Sequence, residues 1–190
     1  MRRVFWVLTV IAVLGAGVAH GKECSGITFP EQAQLEGSTL SLNGLGLHKA
    51  TMLKIKAYVA ALYVTKASSD PKTILESNSP YVLILQVLRD VGASDISKGW
   101  QEGFERNAKK QLPALKERIA TLNGWMADLK TGQRLTFSFK PGAGVQVNVN
   151  GTVEGTIAGE DFGKAFLSIV LGAHASDPGL KAGLLGGACG

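Results

Sequence analysis

The stretch Asn43-Gly-Leu-Gly-Leu-His-Lys-Ala-Thr-Met-Leu-Lys-Ile-Lys-Ala-Tyr-Val-Ala-Ala-Leu-Tyr-Val64 decides how this chain is read. It ends in an uncharged run, Tyr58 to Val64, rich in aromatic and β-branched residues. A short apolar run between polar flanks predicts a strand buried on both faces, and so a central strand of its sheet. Ahead of it, Gly44-Leu45-Gly46 predicts a turn. His48, the one histidine in the middle of the chain, falls between that turn and the strand.

Upstream, Leu40 and Leu42 alternate with Ser41 after a Glu36-Gly37 turn, and Gly26 to Leu42 reads as two short strands. Downstream, Ser68-Ser69-Asp70-Pro71 supplies an N-cap and a first-turn proline for a short helix that buries Ile74 and Leu75. Asn78-Ser79-Pro80 ends it, and Tyr81 to Leu88 is a second, mostly apolar strand. From Ser94 onward Ile96, Trp100 and Phe104 recur every fourth residue, which puts them on one helix face. Gly99 and Gly103 beside that stripe weaken the helix by about 1 kcal/mol each but let another surface come close. A further helix, Pro113 to Met126, turns Leu115, Ile119, Leu122 and Met126 inward. Trp100 and Trp125 read as core residues.

The period then changes. Arg134 to Lys140 alternates strictly, Pro141 to Gly144 turns, Val145, Val147 and Val149 alternate with polar residues, and Asn150-Gly151 signals a tight hairpin into Thr152 to Ile157. That is a three-stranded antiparallel meander. Asp161 to Leu171 is helical, with Phe162, Phe166 and Ile169 inward, and Asp177-Pro178 caps a last helix carrying Leu180 and Leu184. Strands, helices, strands and helices without βαβ repetition predict an α+β fold: one antiparallel sheet with helices covering one face.

The totals agree with one globular domain: 190 residues, 45% hydrophobic and 18% charged. Such a chain buries roughly 70% of its unfolded surface. Residues 1 to 21 begin Met-Arg-Arg, continue apolar from Val4 to Val18 and end in small residues, the pattern of a secretory signal peptide. The apolar run falls short of the roughly 20 residues of a spanning helix. The expectation is an exported protein, periplasmic or secreted, whose mature domain is 22–190 with no membrane span. Lys22 and Glu23 before Cys24 do not suit a lipidated cysteine. Arg2 and Arg3 belong to the leader, so two of the +5 formal charges leave with it. The remaining lysines are scattered, which does not fit a nucleic-acid partner.

Two cysteines, Cys24 and Cys189, stand near the two ends of the mature chain. In an oxidising compartment they permit a disulfide, which the chain-entropy model values at about 4–5 kcal/mol at most. His20, His48 and His174 have no neighbours at metal-ligand spacing, so no metal is expected. Without a nucleophile elbow or a phosphate loop there is no basis for a hydrolase or a kinase, nor for a cofactor.

The segments Leu42-Asn43-Gly44-Leu45-Gly46-Leu47-His48-Lys49 and Lys56 to Val64 resemble the opening strands of chalcone isomerase-like proteins of the exported bacterial type. Asn150 to Ile157, Asp161 to Phe166, Ile169 to Gly172 and Leu180 to Gly186 are similar to the family's end, so the resemblance runs from Ile27 to Gly186. It implies an open-faced β-sandwich with an apolar pocket between sheet and helices. Plant members of the superfamily close a chalcone into a flavanone or bind fatty acids, and both use an arginine on the strand after the Gly-x-Gly turn. His48 stands at that position here. The enzyme's threonine falls at Tyr58, where the fatty-acid-binding branch has a tyrosine. Its helix-borne tyrosine and asparagine fall near Ile96 and Gly103.

Ring closure needs a permanently cationic fork of donors beside a developing enolate, which arginine supplies and imidazole does not. The resemblance therefore implies non-catalytic binding of an apolar carboxylate such as a fatty acid. His48 and Tyr58 would meet the head group, and Lys49 and Lys54 would lend positive charge. The alternatives are an isomerase acting on another substrate, with Tyr58 as acid and His48 as base, and an interaction module with a closed pocket. Arg89 and Asp90, at a strand end, either pair with each other or face the pocket.

Overall fold

The alternation of apolar residues sets which face each strand buries, and the strands pair in chain order. The computed structural model describes residues 21–50 and 55–190. Residues 1–20 of the expected leader (1–21) and the candidate Lys54 lie outside the described residues. A hairpin of β1 (Gly21–Cys24) and β2 (Ile27–Pro30) precedes the main sheet. That sheet is a seven-stranded antiparallel meander in the order β3 (Gln32–Leu35), β4 (Ser38–Ala50), β5 (Ile55–Val64), β6 (Tyr81–Val87), β7 (Arg134–Lys140), β8 (Gly144–Val149) and β9 (Thr152–Ile157). Residues 26–42 thus hold more than the two expected strands.

Five helices complete the fold: α1 (Pro71–Glu76), α2 (Ala93–Asn107), α3 (Leu112–Gly124), α4 (Glu160–Leu171) and α5 (Pro178–Leu184). Asp70 caps α1 by accepting from the amides of Lys72 and Thr73.

In β5 every residue from Val59 to Val64 is buried, as an interior strand requires. Ala60, Leu62 and Val64 join the helical core, while Val59, Ala61 and Tyr63 join a second cluster behind the sheet with Phe29 and Leu40. On the helical side Trp100, Phe137 and Phe166 interlock, with ring centroids 4.5–5.4 Å apart. Full burial of each such side chain contributes about 1.5–3 kcal/mol. Trp100 is core as expected, its indole N–H meeting Met126 Sδ at 3.3 Å; Trp125 is only half-buried. A Cβ on Gly103 would overlap Ile169 of α4, the close approach its position predicted.

The face opposite the helices is partly covered by the β1–β2 hairpin, which a disulfide between Cys24 and Cys189 ties to the C-terminal tail. Their Cα atoms are 5.9 Å apart, within the range such a bond spans.

Gly44 and Gly46 do not form the expected turn. Both are buried inside β4, where the backbone of α5 lies directly on the strand. A Cβ on Gly44 would overlap the Gly183 carbonyl oxygen, and one on Gly46 that of Leu180. Asn43 sits at a bulge in β4, where its register with β5 shifts. Its Nδ2 donates to the carbonyls of Leu184 (2.7 Å) and Ser68 (3.1 Å), and its Oδ1 accepts from the Ser68 amide (2.8 Å). One buried amide therefore ties β4 to α5 and to the loop after β5, with donors and acceptor all satisfied. Among the described residues no helix is long and apolar enough to cross a membrane.

Candidate functional site

The antiparallel register of β4 and β5 sets His48 opposite Tyr58. Directly paired side chains on one face must touch. Their rings stack with centroids 4.7 Å apart and planes 30° from parallel. Tyr58 is in turn paired with Val87, so these three residues form a row across three strands.

From the other side, the N-cap of α5 supplies Asp177. Its Oδ1 caps the helix by accepting from the Leu180 amide at 2.9 Å. Its Oδ2 lies 2.9 Å from His48 Nδ1 and 3.4 Å from the Lys49 amide. Partial burial pushes the Asp177 carboxyl up, but the Leu180 amide, the imidazole and the Lys49 amide together hold it below the usual carboxylate range. The ionised carboxylate can only accept, so Nδ1 donates. Nε2 then has no protein partner among the described residues. Burial, and after it the charge of Asp177, pushes the Tyr58 hydroxyl above its ordinary value, so it stays a neutral donor. Sequence reasoning saw Asp177 only as a helix cap. Its pairing with His48 spans 129 residues and has no local signal.

His48 and Tyr58 line a cavity of about 580 Å³ between sheet and helices, a size suited to a small molecule. Leu85, Val87 and Leu135 form its sheet side, and Ile96, Trp100 and Ile169 its helical side. Besides Asp177, four charged residues line it: Arg89, Asp95, Glu102 and Arg106. Arg106 is occupied by Glu102, one helical turn away at 2.9 Å. Asp90 turns to Lys130 (2.9 Å) and to the Thr131 amide (3.0 Å), so it does not pair with Arg89, which faces the cavity.

Lys49 is not among the lining residues; what it gives the site is its backbone amide. Ile96 lines the cavity, whereas Gly103 is buried under Ile169. Among the described residues no cluster of three histidine, cysteine or acidic side chains could hold a metal.

A family profile described as chalcone isomerase-like matches residues 21–186. No curated protein sequence matches the chain. The crystal structure of the Arabidopsis thaliana fatty-acid binding protein AtFAP1 superposes with a TM-score of 0.67 at 15% sequence identity, covering 84% of this chain and 92% of that one. At that identity the likeness is one of fold.

Proposed function

The chain belongs to the chalcone isomerase-like family, and from that premise we propose that it is exported and holds an apolar carboxylate of the fatty-acid class without transforming it. The observation that carries this reading is the cavity of about 580 Å³, apolar on its sheet and helical sides and charged at its margin. The fatty-acid binding of AtFAP1, a protein of the same fold, supports it. So does the state of His48. An imidazole whose Nδ1 is engaged by a carboxylate is a poor substitute for a permanent cation beside a developing enolate. A module with a filled interior has no support in an open space of this size.

One arrangement favours a second reading. A histidine oriented by Asp177, with Nε2 unpaired among the described residues and a neutral tyrosine hydroxyl alongside, is a general base next to a general acid. That pair suits an isomerase acting on an apolar carbonyl compound.

Native mass spectrometry of protein purified from cells tests carriage. Retained long-chain acids are expected; an empty protein with no affinity for dodecanoate or hexadecanoate would overturn the reading. Following chalcone absorbance tests the isomerase: carriage predicts no rate above the uncatalysed reaction. Export rests on the leader pattern, and a mature chain whose intact mass starts near Lys22 is the result expected of it.

A further inference from the structure

We propose that Arg89, rather than His48, receives the anionic head of the ligand, so that the carboxylate sits at the strand-end side of the cavity and the hydrocarbon runs inward between Trp100 and Leu85. The inference rests on the carriage reading above. It starts from the basic side chains that line the cavity. His48 is held by Asp177, and Arg106 by Glu102. Arg89 pairs with no carboxylate among the described residues, and residues 1–20 and 51–54 contain no acidic side chain. Its neighbour Asp90 is turned away to Lys130, and Asp95, which lines the same cavity, makes no ion pair with it.

The position of Asp177 points the same way. A carboxylate placed at His48 would lie beside the ionised Asp177, and two like charges a few ångströms apart in a half-buried site repel strongly. At Arg89 it would meet a planar guanidinium able to bind both oxygens at once. Arg89 lies two residues beyond Val87, which heads the row formed with Tyr58 and His48. An anion there sits past the end of that row, away from Asp177, with the apolar walls of Ile96, Trp100 and Leu85 ahead of it.

The test titrates the full mature protein with dodecanoate and with dodecanol, reading tryptophan fluorescence and calorimetry. Wild type is expected to prefer the acid by about 10-fold or more, the usual worth of one charge-assisted pair. In Arg89→Gln the acid should weaken by about 10-fold while the alcohol stays within about twofold, which removes the preference. Arg89→Lys should fall between, and His48→Ala should keep the preference. Arg89 is exposed, so a thermal melt matching wild type will show the variants folded. If Arg89→Gln keeps the preference, or His48→Ala alone abolishes it, the head group lies elsewhere and the assignment is wrong. Equal binding of acid and alcohol by wild type would overturn it while leaving carriage intact. Binding of neither would remove both.

Discussion

His48 belongs to a strand, yet its hydrogen bond goes to the cap of a helix 129 residues later. The depressed carboxyl of Asp177 makes that link depend on pH. A group whose folded pKa lies below its unfolded one stabilises the fold above the ordinary carboxylate range and loses that contribution as the pH falls. Asp177→Asn should therefore lag wild type most at neutral pH, with the gap closing below about pH 4. Denaturant melts across that range check this; a gap that does not change with pH would show that charge is irrelevant there. Burial also raises all three tyrosines, and Tyr63 reaches about 12 although Arg134 nearby works against the shift. The folded protein should thus show little tyrosinate absorbance at pH values near 10–11, where a free phenol ionises, and a step when alkali unfolds it. A hydroxyl titrating near 10 would place one ring in open water. His48 and Tyr58 were singled out by their match to the family's arginine and threonine positions, and the structure stacks the two rings on the wall of the cavity. Asp177 was legible only as a cap, because a carboxylate before a proline shows its local duty and hides its distant one.

Period is the part of the fold that sequence displays most directly. The strand over Tyr58 to Val64, the helix stripe of Ile96, Trp100 and Phe104, and the meander after Arg134 all stand where their spacing put them. Gly44-Leu45-Gly46 is the instructive exception. Glycine pairs signal turns when only neighbours in sequence are considered, but these two are bare so that α5 can rest its backbone on β4. Gly46→Ala should force the helix outward at a cost of about 1–3 kcal/mol, as overpacking does. Chemical denaturation measures it. A loss under about 0.5 kcal/mol would mean that α5 lifts without resistance, and that it holds Asp177 against His48 only loosely. Dodecanoate binding, read by tryptophan fluorescence, should weaken in the same variant, because Leu180 and Asp177 line the cavity.

Across the whole molecule the two ends of the described chain meet, and the disulfide fixes two residues 165 positions apart in sequence. Reduction should lower stability by about 2–4 kcal/mol, the usual range for a native bond, with the meander intact. A melting temperature unchanged by reductant, or two thiols that label in the native protein, would show that the crosslink does not constrain the fold. That the cysteines could pair was visible from their even number; that their bond pins a hairpin behind the sheet was not, since the expected helices covered only the other face. The seat of α5 on β4 also governs how the protein comes into being. The glycine groove of β4 is synthesised well before α5, the segment that fills it. A nascent copy can pair every strand and still lack one wall of the cavity, which is complete only once α5 has docked.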